Sequence, residues 1–443
     1  MNASWRGGRF AVESGEPVGL GPNGVAAHEV MRRQIEAPRM NPLPSSHRWA
    51  ELLGIYRDGL LHDTLPFWIP RAIDREHGGY FTCFDQDGSL LQNDKPIWFQ
   101  GRFAWLLSTL YDTVEARPEW LELARHGLEF LDRHGYDTDG RMFFSVTREG
   151  RPLRKRRYVF SELFAVIALA AYGRAAKDAG RTQQALDLFR RVLHYLDTPG
   201  FLPPKTDPGT RPLKGLSVPM ILIVAAQELR KSSPDPVCAE VIDRCVAEIE
   251  RDFLKPEWRC LLECVGPQGE FYDNFDGRLI NPGHSLEAGW FILEEARLRG
   301  GDPRLTRLGC TIIDYSIEQG WDPEHGGILY YRDARGLPAT EYWHDMKFWW
   351  PHNEAIIAML LAWQLTGEPK YARWHAMVHD WAYAHFPDPL HGEWFGYLHR
   401  DGSVSTRLKG NLWKGPFHLP RMQWYCWQRL REWGTPGTQS AGA

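Results

Sequence analysis

The sequence predicts an all-α fold, an (α/α)6 barrel of twelve helices with short β-hairpins at one end. Apolar residues recur with helical periodicity in twelve segments of the chain. Between many of these segments lies a short apolar strand, followed by a polar turn that ends in glycine. Repeated units of this kind share one core, and six helical hairpins can close into a ring.

The helical segments alternate in character along the chain. In a closed ring the odd-numbered segments form the outside and the even-numbered segments the inside, and the even ones carry unusual polar groups at their starts. An open solenoid is the alternative, but its polar residues would spread along a concave face. The twelve segments are 46–68, 97–115, 117–134, 158–177, 181–197, 212–230, 235–253, 284–299, 303–319, 346–366, 368–386 and 414–433.

Five hairpins are predicted at one end of the barrel. Three of them follow a D-x-x-H-G sequence, and its histidines, His77, His325 and His391, recur at equivalent positions. We therefore interpret these histidines as turn supports. The strands and the glycines that end their turns are 80–84 with Gly88, 143–146 with Gly150, 261–264 with Gly269, 328–331 with Gly336 and 394–397 with Gly402.

The domain organisation is simple. Residues 1–45 are rich in Gly, Pro, Ala and Arg with little periodicity, so we predict a flexible N-terminal extension. The barrel domain is expected to span 46–433, and 434–443 are expected to form a flexible C-terminal tail. No uncharged apolar stretch approaches the roughly 18 residues of a membrane span, and the N-terminus has no signal-peptide pattern.

Charge and composition narrow the class of function. The net charge is −4 and the pI is near 6.5, so neither nucleic acid nor an anionic membrane is expected as a partner. Seven cysteines without a C-x-x-C pair are typical of reduced thiols in a cytoplasmic protein. The 20 tryptophans offer flat apolar faces that stack well on sugar C–H groups, which favours a carbohydrate ligand.

Six short windows place a polar or charged group where an inner helix begins. If the inner helices lie parallel, their first turns converge on one pocket that holds two histidines, several glutamates and an arginine among tryptophans. This composition is typical of proton transfer on a polar, uncharged ligand such as a sugar. The windows are 98–102, 160–162, 216–220, 281–287, 349–354 and 414–418.

His284 and His418 are the strongest candidates for proton transfer. Each lies just after a Gly or Pro at the opening of a predicted inner helix. Histidine titrates near neutral pH and so can exchange protons with a substrate. His375 and His379, by contrast, lie on an ordinary helical stretch, where a solvated or capping role is expected.

Four further side chains accompany the two histidines. Glu287 lies three residues after His284, on the same helical face, where it can contact the imidazole, bind a substrate hydroxyl or simply favour the helix dipole. Glu354 follows two tryptophans, and a carboxylate in such surroundings needs a partner. Arg102 and Glu162 are each open to a substrate contact or to a structural ion pair.

Motifs of several other chemistries are missing from the sequence. There is no G-x-x-x-x-G-K-[ST] loop, no H-E-x-x-H or Cys/His zinc spacing and no G-x-S-x-G elbow. One G-x-G-x-x-G match, at residues 19–24, lies in the irregular extension with no strand before it, so we discount it. We therefore expect no metal and no redox cofactor.

In several stretches that include these candidate site residues, the chain resembles the N-acylglucosamine 2-epimerase (renin-binding protein) family. The resemblance covers about 46–433, and the fold of that family is an (α/α)6 barrel. It rests on the stretches 98–102, 211–220, 277–288, 349–354, 392–397 and 414–421.

The resemblance implies a role for each matching residue. The proton-transfer pair corresponds to His284 in G-H-x-x-E-A and His418 in F-H-x-P-R, and a further essential glutamate corresponds to Glu354 in W-W-x-x-x-E. These three are expected to be catalytic. The residues expected to bind substrate are Arg102, Glu162, Glu287, Trp350 and Arg421.

The sequence motifs N-P-G-H and F-H-x-P-R are more similar to those of the N-acyl branch of the family than to those of the cellobiose branch. Members of the N-acyl branch are often activated by ATP without hydrolysing it. The resemblance thus implies no cofactor for the chemistry itself and ATP as an allosteric activator. We further expect a cytoplasmic homodimer.

The expected reaction interconverts N-acetylglucosamine and N-acetylmannosamine through the open-chain sugar. One histidine removes the C2 proton and the other returns a proton to the opposite face. Arg102 and the helix N-termini are expected to stabilise the negative charge that develops on O1. Glu354 or a histidine is expected to protonate the ring oxygen so that the ring opens.

Three alternatives stay open. An epimerase or aldose–ketose isomerase acting on mannose, glucose or cellobiose would use the same groups. A glycoside hydrolase would use two carboxylates, Glu287 and Glu354, and would leave the histidines without a role. A non-catalytic binding protein, which the renin-binding name suggests, would exchange no proton at C2 of any sugar.

Overall fold

The computed structural model describes residues 44–434, which form twelve helices arranged as six consecutive hairpins. Apart from residues 44, 45 and 434, the predicted extension 1–45 and tail 434–443 lie outside the described residues. Both therefore stay predictions.

The helices are labelled α1 to α12 in chain order. Helix α1 consists of Ser46–Asp58, a π-helical turn at Gly59–Thr64, and Leu65–Ala72, and a second π-helical turn, Ile249–Phe253, extends α7. The others agree with the predicted segments to within a few residues. They are α2 Ile97–Thr113, α3 Pro118–His134, α4 Phe160–Ala176, α5 Ala179–Asp197, α6 Ser217–Arg230, α7 Val237–Glu248, α8 Pro282–Leu298, α9 Pro303–Gly320, α10 Trp349–Thr366, α11 Pro369–His385 and α12 His418–Trp433.

The even-numbered helices form an inner ring. Each packs against the next even-numbered helix, and α12 packs against α2, so the ring closes. Inner helices are enclosed on nearly all sides; in α10 every residue from 349 to 362 is buried. An outer helix such as α3 buries only one side. The closed barrel is confirmed, and the open solenoid is not what the chain forms.

In residues 44–434, fourteen short strands lie between the helices, and several of them lead directly into an inner helix. Three helices were predicted to begin at 212, 346 and 414. They begin a few residues later because the first residues of the predicted segments form strands or turns. The strands are β1 Cys83–Phe84, β2 Leu90–Gln92, β3 Lys95–Pro96, β4 Ser145–Val146, β5 Pro152–Arg154, β6 Lys214–Gly215, β7 Leu254–Lys255, β8 Cys260–Leu261, β9 Cys264–Val265, β10 Leu279–Ile280, β11 Arg332–Asp333, β12 Lys347–Phe348, β13 Tyr397–Leu398 and β14 Val404–Thr406.

Three of the five predicted hairpins pair internally, as β1–β2, β4–β5 and β13–β14. The other two form differently. β9 pairs with β6, the strand before α6, and β11 pairs with β10, the strand before α8. The backbone of a strand that leads into an inner helix needs hydrogen-bond partners, and here the neighbouring repeat supplies them.

The D-x-x-H-G sequences are turns held by a buried ion pair. In each, one aspartate oxygen accepts the backbone N–H groups two and three residues further on. The aspartates are paired with Lys95, Lys347 and Lys409, whose side chains are buried. The histidine of the sequence joins this turn through its backbone, in agreement with a turn role.

The solvated or capping role that was expected for His375 and His379 is wrong. Both side chains are buried where α11 meets α1, and their ring nitrogens lie 3.1 and 2.9 Å from the hydroxyl oxygen of Tyr56. Helix α11 is an outer helix, but α1 covers this side of it.

Among residues 44–434 there is no helix that combines the length and the apolar character of a membrane span.

Candidate active site

A cavity of about 820 Å³ lies where the inner helices begin. All six inner helices contribute lining residues from their first turns, starting with Trp98, Phe160, Ser217, His284, Trp349 and His418. The sequence predicted this convergence. Because the N-terminal ends of these helices surround the cavity, their partial positive charges favour an anionic group inside it.

His284 is held at the start of α8 by two contacts. The Asn281 side chain caps the helix by accepting the His284 backbone N–H at 3.1 Å, and imidazole Nδ1 lies 2.9 Å from Glu263 Oε2. A proton on Nδ1 is thus donated to Glu263, which leaves Nε2 for a ligand. Burial opposes a charged imidazole, but the carboxylates of Glu263, Glu287 and Glu354 outweigh it and raise the pKa of His284.

His418, the first residue of α12, has a different environment. Its Nδ1 lies 2.7 Å from Oε1 of Glu354, and the same oxygen accepts a hydrogen bond of 2.6 Å from Arg421. Burial, together with the positive charge of Arg421, holds the pKa of His418 well below its ordinary value. His418 is therefore neutral at pH values at which His284 carries a proton.

Trp350 lies against both histidines. Its ring centroid is 5.0 Å from that of His284 and 5.6 Å from that of His418. Gly283 allows this packing, because a Cβ at that position would lie 2.6 Å from Trp350 Cη2. The glycine before His284 thus has a steric role, and Trp350 lines the cavity as expected.

Arg102 is a buried cation enclosed by aromatic rings. Its guanidinium carbon is 4.3 Å from the ring centroid of Trp98, 4.2 Å from Phe164 and 4.4 Å from Phe417. Within residues 44–434 no carboxylate forms an ion pair with it, and its Nε has no hydrogen-bond partner. Burial and the nearby Arg421 lower the pKa of Arg102 to about 9. An anion in the cavity would supply the missing partner.

The two inner-ring glutamates differ in their access to the cavity. Glu287 lines it, and one of its oxygens accepts a hydrogen bond of 2.7 Å from Arg421. Glu354 is fully buried and does not line the cavity. Its second oxygen accepts the indole N–H of Trp290 at 2.8 Å, so both oxygens have protein partners. Glu354 thus contacts His418 and Arg421, and its expected catalytic role, with the ring-opening step, stays a prediction.

Glu162 forms a structural ion pair. Its side chain is buried away from the cavity, where Oε1 accepts hydrogen bonds from Arg141 Nε at 2.6 Å and from the Met142 backbone N–H at 3.0 Å. The structural ion pair, one of the two alternatives for this residue, is what the chain forms. The expected role of Glu162 in substrate binding stays a prediction.

The family model for N-acylglucosamine 2-epimerase matches residues 79–415. The N-acylglucosamine 2-epimerase of Bos taurus is 36% identical over 394 residues, which cover 86% of this chain and 92% of that protein. The chain belongs to the N-acylglucosamine 2-epimerase family. The cellobiose 2-epimerase of Bacteroides fragilis is more distant, at 24% identity over 81% of this chain and 94% of that protein.

Solved structures support the barrel fold for this member of the N-acylglucosamine 2-epimerase family. Cellobiose 2-epimerase from Bacillus thermoamylovorans has a TM-score of 0.76 at 20% identity, covering 86% of this chain and 100% of that one. A D-mannose isomerase has a TM-score of 0.72 at 16% identity, covering 88% and 99%. At these identities the similarity shows the fold alone.

The sequence did not single out Glu263, the partner of His284, or Trp290, the partner of Glu354. Glu263 had a usable signal, since it is the one charged residue within the apolar stretch 260–265. Trp290 lies two turns into α8, where an indole in an apolar helix resembles any core residue.

One group of side chains could be considered for a metal ion. Ligand atoms of Glu287, Glu354 and His418 lie within 4.8 Å of one another. However, Nη2 of Arg421 donates to both carboxylates, at 2.7 and 2.6 Å. A divalent cation would have to displace this guanidinium, so the group is better suited to orienting His418 than to binding a metal.

Proposed function

We propose that this protein interconverts N-acylglucosamine and N-acylmannosamine by moving the proton at C2. The observation that carries the proposal is that two imidazoles, each held by a carboxylate at Nδ1, line one cavity with a buried arginine that has no ion-pair partner within residues 44–434. The surroundings move the pKa values of the two imidazoles in opposite directions. Groups with pKa values moved apart in this way can act as base and acid at the same pH.

The residues suggest the following sequence of steps. Protonated His284 can donate to the ring oxygen as the C1–O5 bond breaks, and it takes up the proton that the O1 hydroxyl loses, so that it is protonated again once the aldehyde has formed. In one direction neutral His418 then removes the C2 proton, Arg102 stabilises the enolate oxygen, and His284 protonates C2 from the other face. The reverse direction uses the same two groups with their protonation states exchanged. Glu263 and Glu354 hold the two imidazoles by their Nδ1 atoms.

Proton exchange in D2O tests the proposal. Incubation with N-acetylglucosamine should replace the C2 proton by deuterium and produce N-acetylmannosamine of otherwise unchanged composition, as followed by ¹H NMR. Mannose, glucose and cellobiose belong in the same panel, because preferred turnover of one of them would favour the non-acetylated alternative. If none of these sugars exchanges its C2 proton, the protein is not an epimerase, and a binding protein is favoured.

A glycoside hydrolase on this barrel is less well supported. It would need two carboxylates that flank a scissile bond. Glu287 and Glu354 instead share one nitrogen of Arg421, and Glu354 does not reach the cavity. Release of a monosaccharide from an oligosaccharide would nevertheless be detected in the same NMR panel.

ATP as an activator is part of the proposal. Two cations beside Tyr158, a residue that lines the cavity, support it. The Lys205 ammonium lies 4.9 Å from the ring centroid of Tyr158, and the Arg156 guanidinium carbon lies 5.9 Å from the same centroid. Neither forms an ion pair within residues 44–434, so both are available to phosphate groups. Calorimetric titration of ATP against the wild type and Arg156→Met would test this.

We also propose that the protein is cytoplasmic and homodimeric. All seven cysteines lie in the described part of the chain and are free thiols, as a reducing compartment would maintain them. A mass in solution near twice the 51.1 kDa of one chain, measured by light scattering, would support the dimer.

A further inference from the structure

The third D-x-x-H-G turn differs from the other two at the residue that follows it. After the first two turns this residue is a glycine, Gly79 or Gly327, with φ of 72° and 73°. After the third turn it is Glu393, whose backbone is also left-handed, with φ of 58°. A side chain in this region costs free energy that glycine avoids. The third repeat thus contains a strained residue where the other two have none.

The side chain of Glu393 is enclosed and paired. Its exposed fraction is 1%, and its carboxylate forms an ion pair with the ammonium group of Lys414, which is also buried. The backbone N–H of Glu393 donates to both carboxylate oxygens of Asp63, at 3.0 and 3.1 Å. Asp63 belongs to the π-helical turn of α1. These contacts hold the strained residue at its backbone and at its side chain.

Lys414 belongs to a segment that the third repeat adds before its inner helix. Helices α2 and α10 begin two residues after Lys95 and Lys347, the lysines that pair with the turn aspartates. Helix α12 begins nine residues after the equivalent lysine, Lys409. Residues 410–417 are therefore an insertion between the turn and the inner helix.

Segment 410–417 leads directly to reacting groups. Trp413 and Phe417 line the cavity, and His418 is the next residue of the chain. The ring centroid of Phe417 lies 4.4 Å from the guanidinium carbon of Arg102. A shift of this segment would therefore move both His418 and one wall of the aromatic enclosure around Arg102.

Lys414 holds the segment at its middle. It is the one charged residue of segment 410–417, and its side chain has no exposed surface. In addition to the ion pair with Glu393, its ammonium group donates to the carbonyl oxygen of Lys409 at 2.7 Å. A buried ammonium group that lost these partners would be costly, so the contacts favour a single position of the segment.

We infer that Glu393 and Lys414 are positioning residues that set where His418 meets the substrate. The inference rests on the proposed function. Neither side chain lines the cavity, so both act through the segment that ends at His418. His284 does not depend on them, because Glu263 holds it at the start of α8. The strained backbone of Glu393 is kept because the ion pair needs a carboxylate at this place.

A double variant without the two charges tests the inference. Glu393→Met/Lys414→Met keeps the side-chain volume, and such replacements of buried ion pairs often leave stability unchanged or improve it. We expect a melting temperature close to the wild type. C2 exchange in D2O should fall by about tenfold or more for the epimer that His418→Ala affects most, and by about twofold or less for the other epimer.

Lys214→Met is the matched control. Lys214 also precedes an inner helix, α6, which carries no group of the proposed proton transfer, and its ammonium group pairs with Glu248 at 2.9 Å and with Asp252 at 2.5 Å. Loss of this ion pair should lower stability without changing the ratio of exchange between the two epimers. Wild-type exchange of both epimers in Glu393→Met/Lys414→Met would overturn the inference, as would an equal loss from both.

The imidazole of His418 provides a measurement that does not depend on turnover. In protein labelled with ¹⁵N-histidine, the NMR signals that are absent from His418→Ala belong to His418. Their shifts report the contact between Nδ1 and Glu354, and they should change in Glu393→Met/Lys414→Met but not in Lys214→Met.

This measurement separates the inference from the proposed function. If no sugar exchanges its C2 proton, the proposed function fails, but a change in the His418 signals that is confined to the double variant still supports the positioning role. Unchanged His418 signals in the double variant would reject that role.

Discussion

The two candidate catalytic histidines differ by what surrounds them rather than by their position on a helix. Both begin an inner helix, and both have a carboxylate within 3 Å of Nδ1. The carboxylate beside His418 also accepts from Arg421, which offsets its charge, whereas Glu263 has no such partner in the described part of the chain. Burial lowers the pKa of His418 and this guanidinium adds to that effect, whereas three carboxylates outweigh the burial of His284.

Substitution of either histidine should abolish epimerisation. We expect His284→Ala and His418→Ala each to lower kcat by about 10³-fold or more, because each removes the proton donor or acceptor for one face of C2. Melting temperatures should stay close to the wild type. His325→Ala, a histidine of a D-x-x-H-G turn, is the control and should retain turnover.

Exchange in D2O separates the roles of the two residues further. Each variant should lose C2 exchange from one epimer more than from the other. Equal and complete loss from both epimers in both variants would contradict a two-base scheme and favour one base with a structural second histidine.

Glu263→Gln should shift the pH dependence of the reaction. Glu263 raises the pKa of His284, so its removal lets His284 lose its proton at lower pH. The alkaline limb of the kcat/KM profile should move to lower pH by about one pH unit or more. Glu341→Gln, which removes another carboxylate of the cavity lining, is the control. An unchanged alkaline limb in Glu263→Gln would show that His284 does not act as the acid.

At the level of whole helices, close packing of the inner ring depends on small residues and buried polar contacts. A Cβ at Gly101 would lie 2.5 Å from the backbone oxygen of Phe164, so only glycine allows α2 and α4 to approach this closely. The same glycine is part of the 98–102 stretch that identifies the family, and its role is steric.

The pair of α11 histidines beside Tyr56 should make stability sensitive to acid. Burial lowers the pKa of His375 to about 3, whereas a histidine of the unfolded chain titrates near 6.5. Between these pH values only the unfolded chain binds the proton, so stability falls as the pH decreases, by up to about 1.4 kcal/mol per pH unit for each such histidine.

His375→Gln keeps a polar group near Tyr56 but removes one titration. The free energy of unfolding from urea titrations at pH 7 and pH 5 should therefore decrease less in this variant than in the wild type. His47→Gln, at an exposed position of α1, should show the wild-type decrease. The same decrease in His375→Gln would show that His375 is not neutral in the folded protein.

At the level of the molecule, ring closure depends on the contact between the last and the first inner helix. The indole N–H of Trp424 donates to Thr113 Oγ1 at 2.9 Å, and its ring packs edge-on against Trp105 at 5.8 Å between centroids. Arg102 and His418 lie on these same two helices. Closure of the ring is therefore coupled to the geometry of the site.

Trp424→Ala should weaken both stability and activity. We expect a loss of about 3 kcal/mol in the free energy of unfolding, because a large aromatic contact is removed at the seam. The kcat/KM value should fall as well, since Arg102 and His418 lose their relative placement. Thr113→Val, which removes only the hydrogen bond, should cost about 1 kcal/mol. Unchanged stability in Trp424→Ala would mean that closure does not depend on this contact.

The sequence by itself determined the twelve helices, their inner and outer alternation, and the residues that face the cavity from helix N-termini. Helical periodicity and turn chemistry are properties of residues close together in the chain, so they can be read without a structure. His284, His418, Arg102, Trp350 and Arg421 were all predicted for the site and all line the cavity.

Only the tertiary structure decided which groups are partners. Glu263 and His284, Glu354 and His418, and Glu162 and Arg141 are paired across 21 to 64 residues of chain. The burial of His375 and His379 depends in the same way on α1, more than 300 residues earlier. These pairings follow from how six hairpins close into one ring, and no local pattern in the chain encodes that geometry.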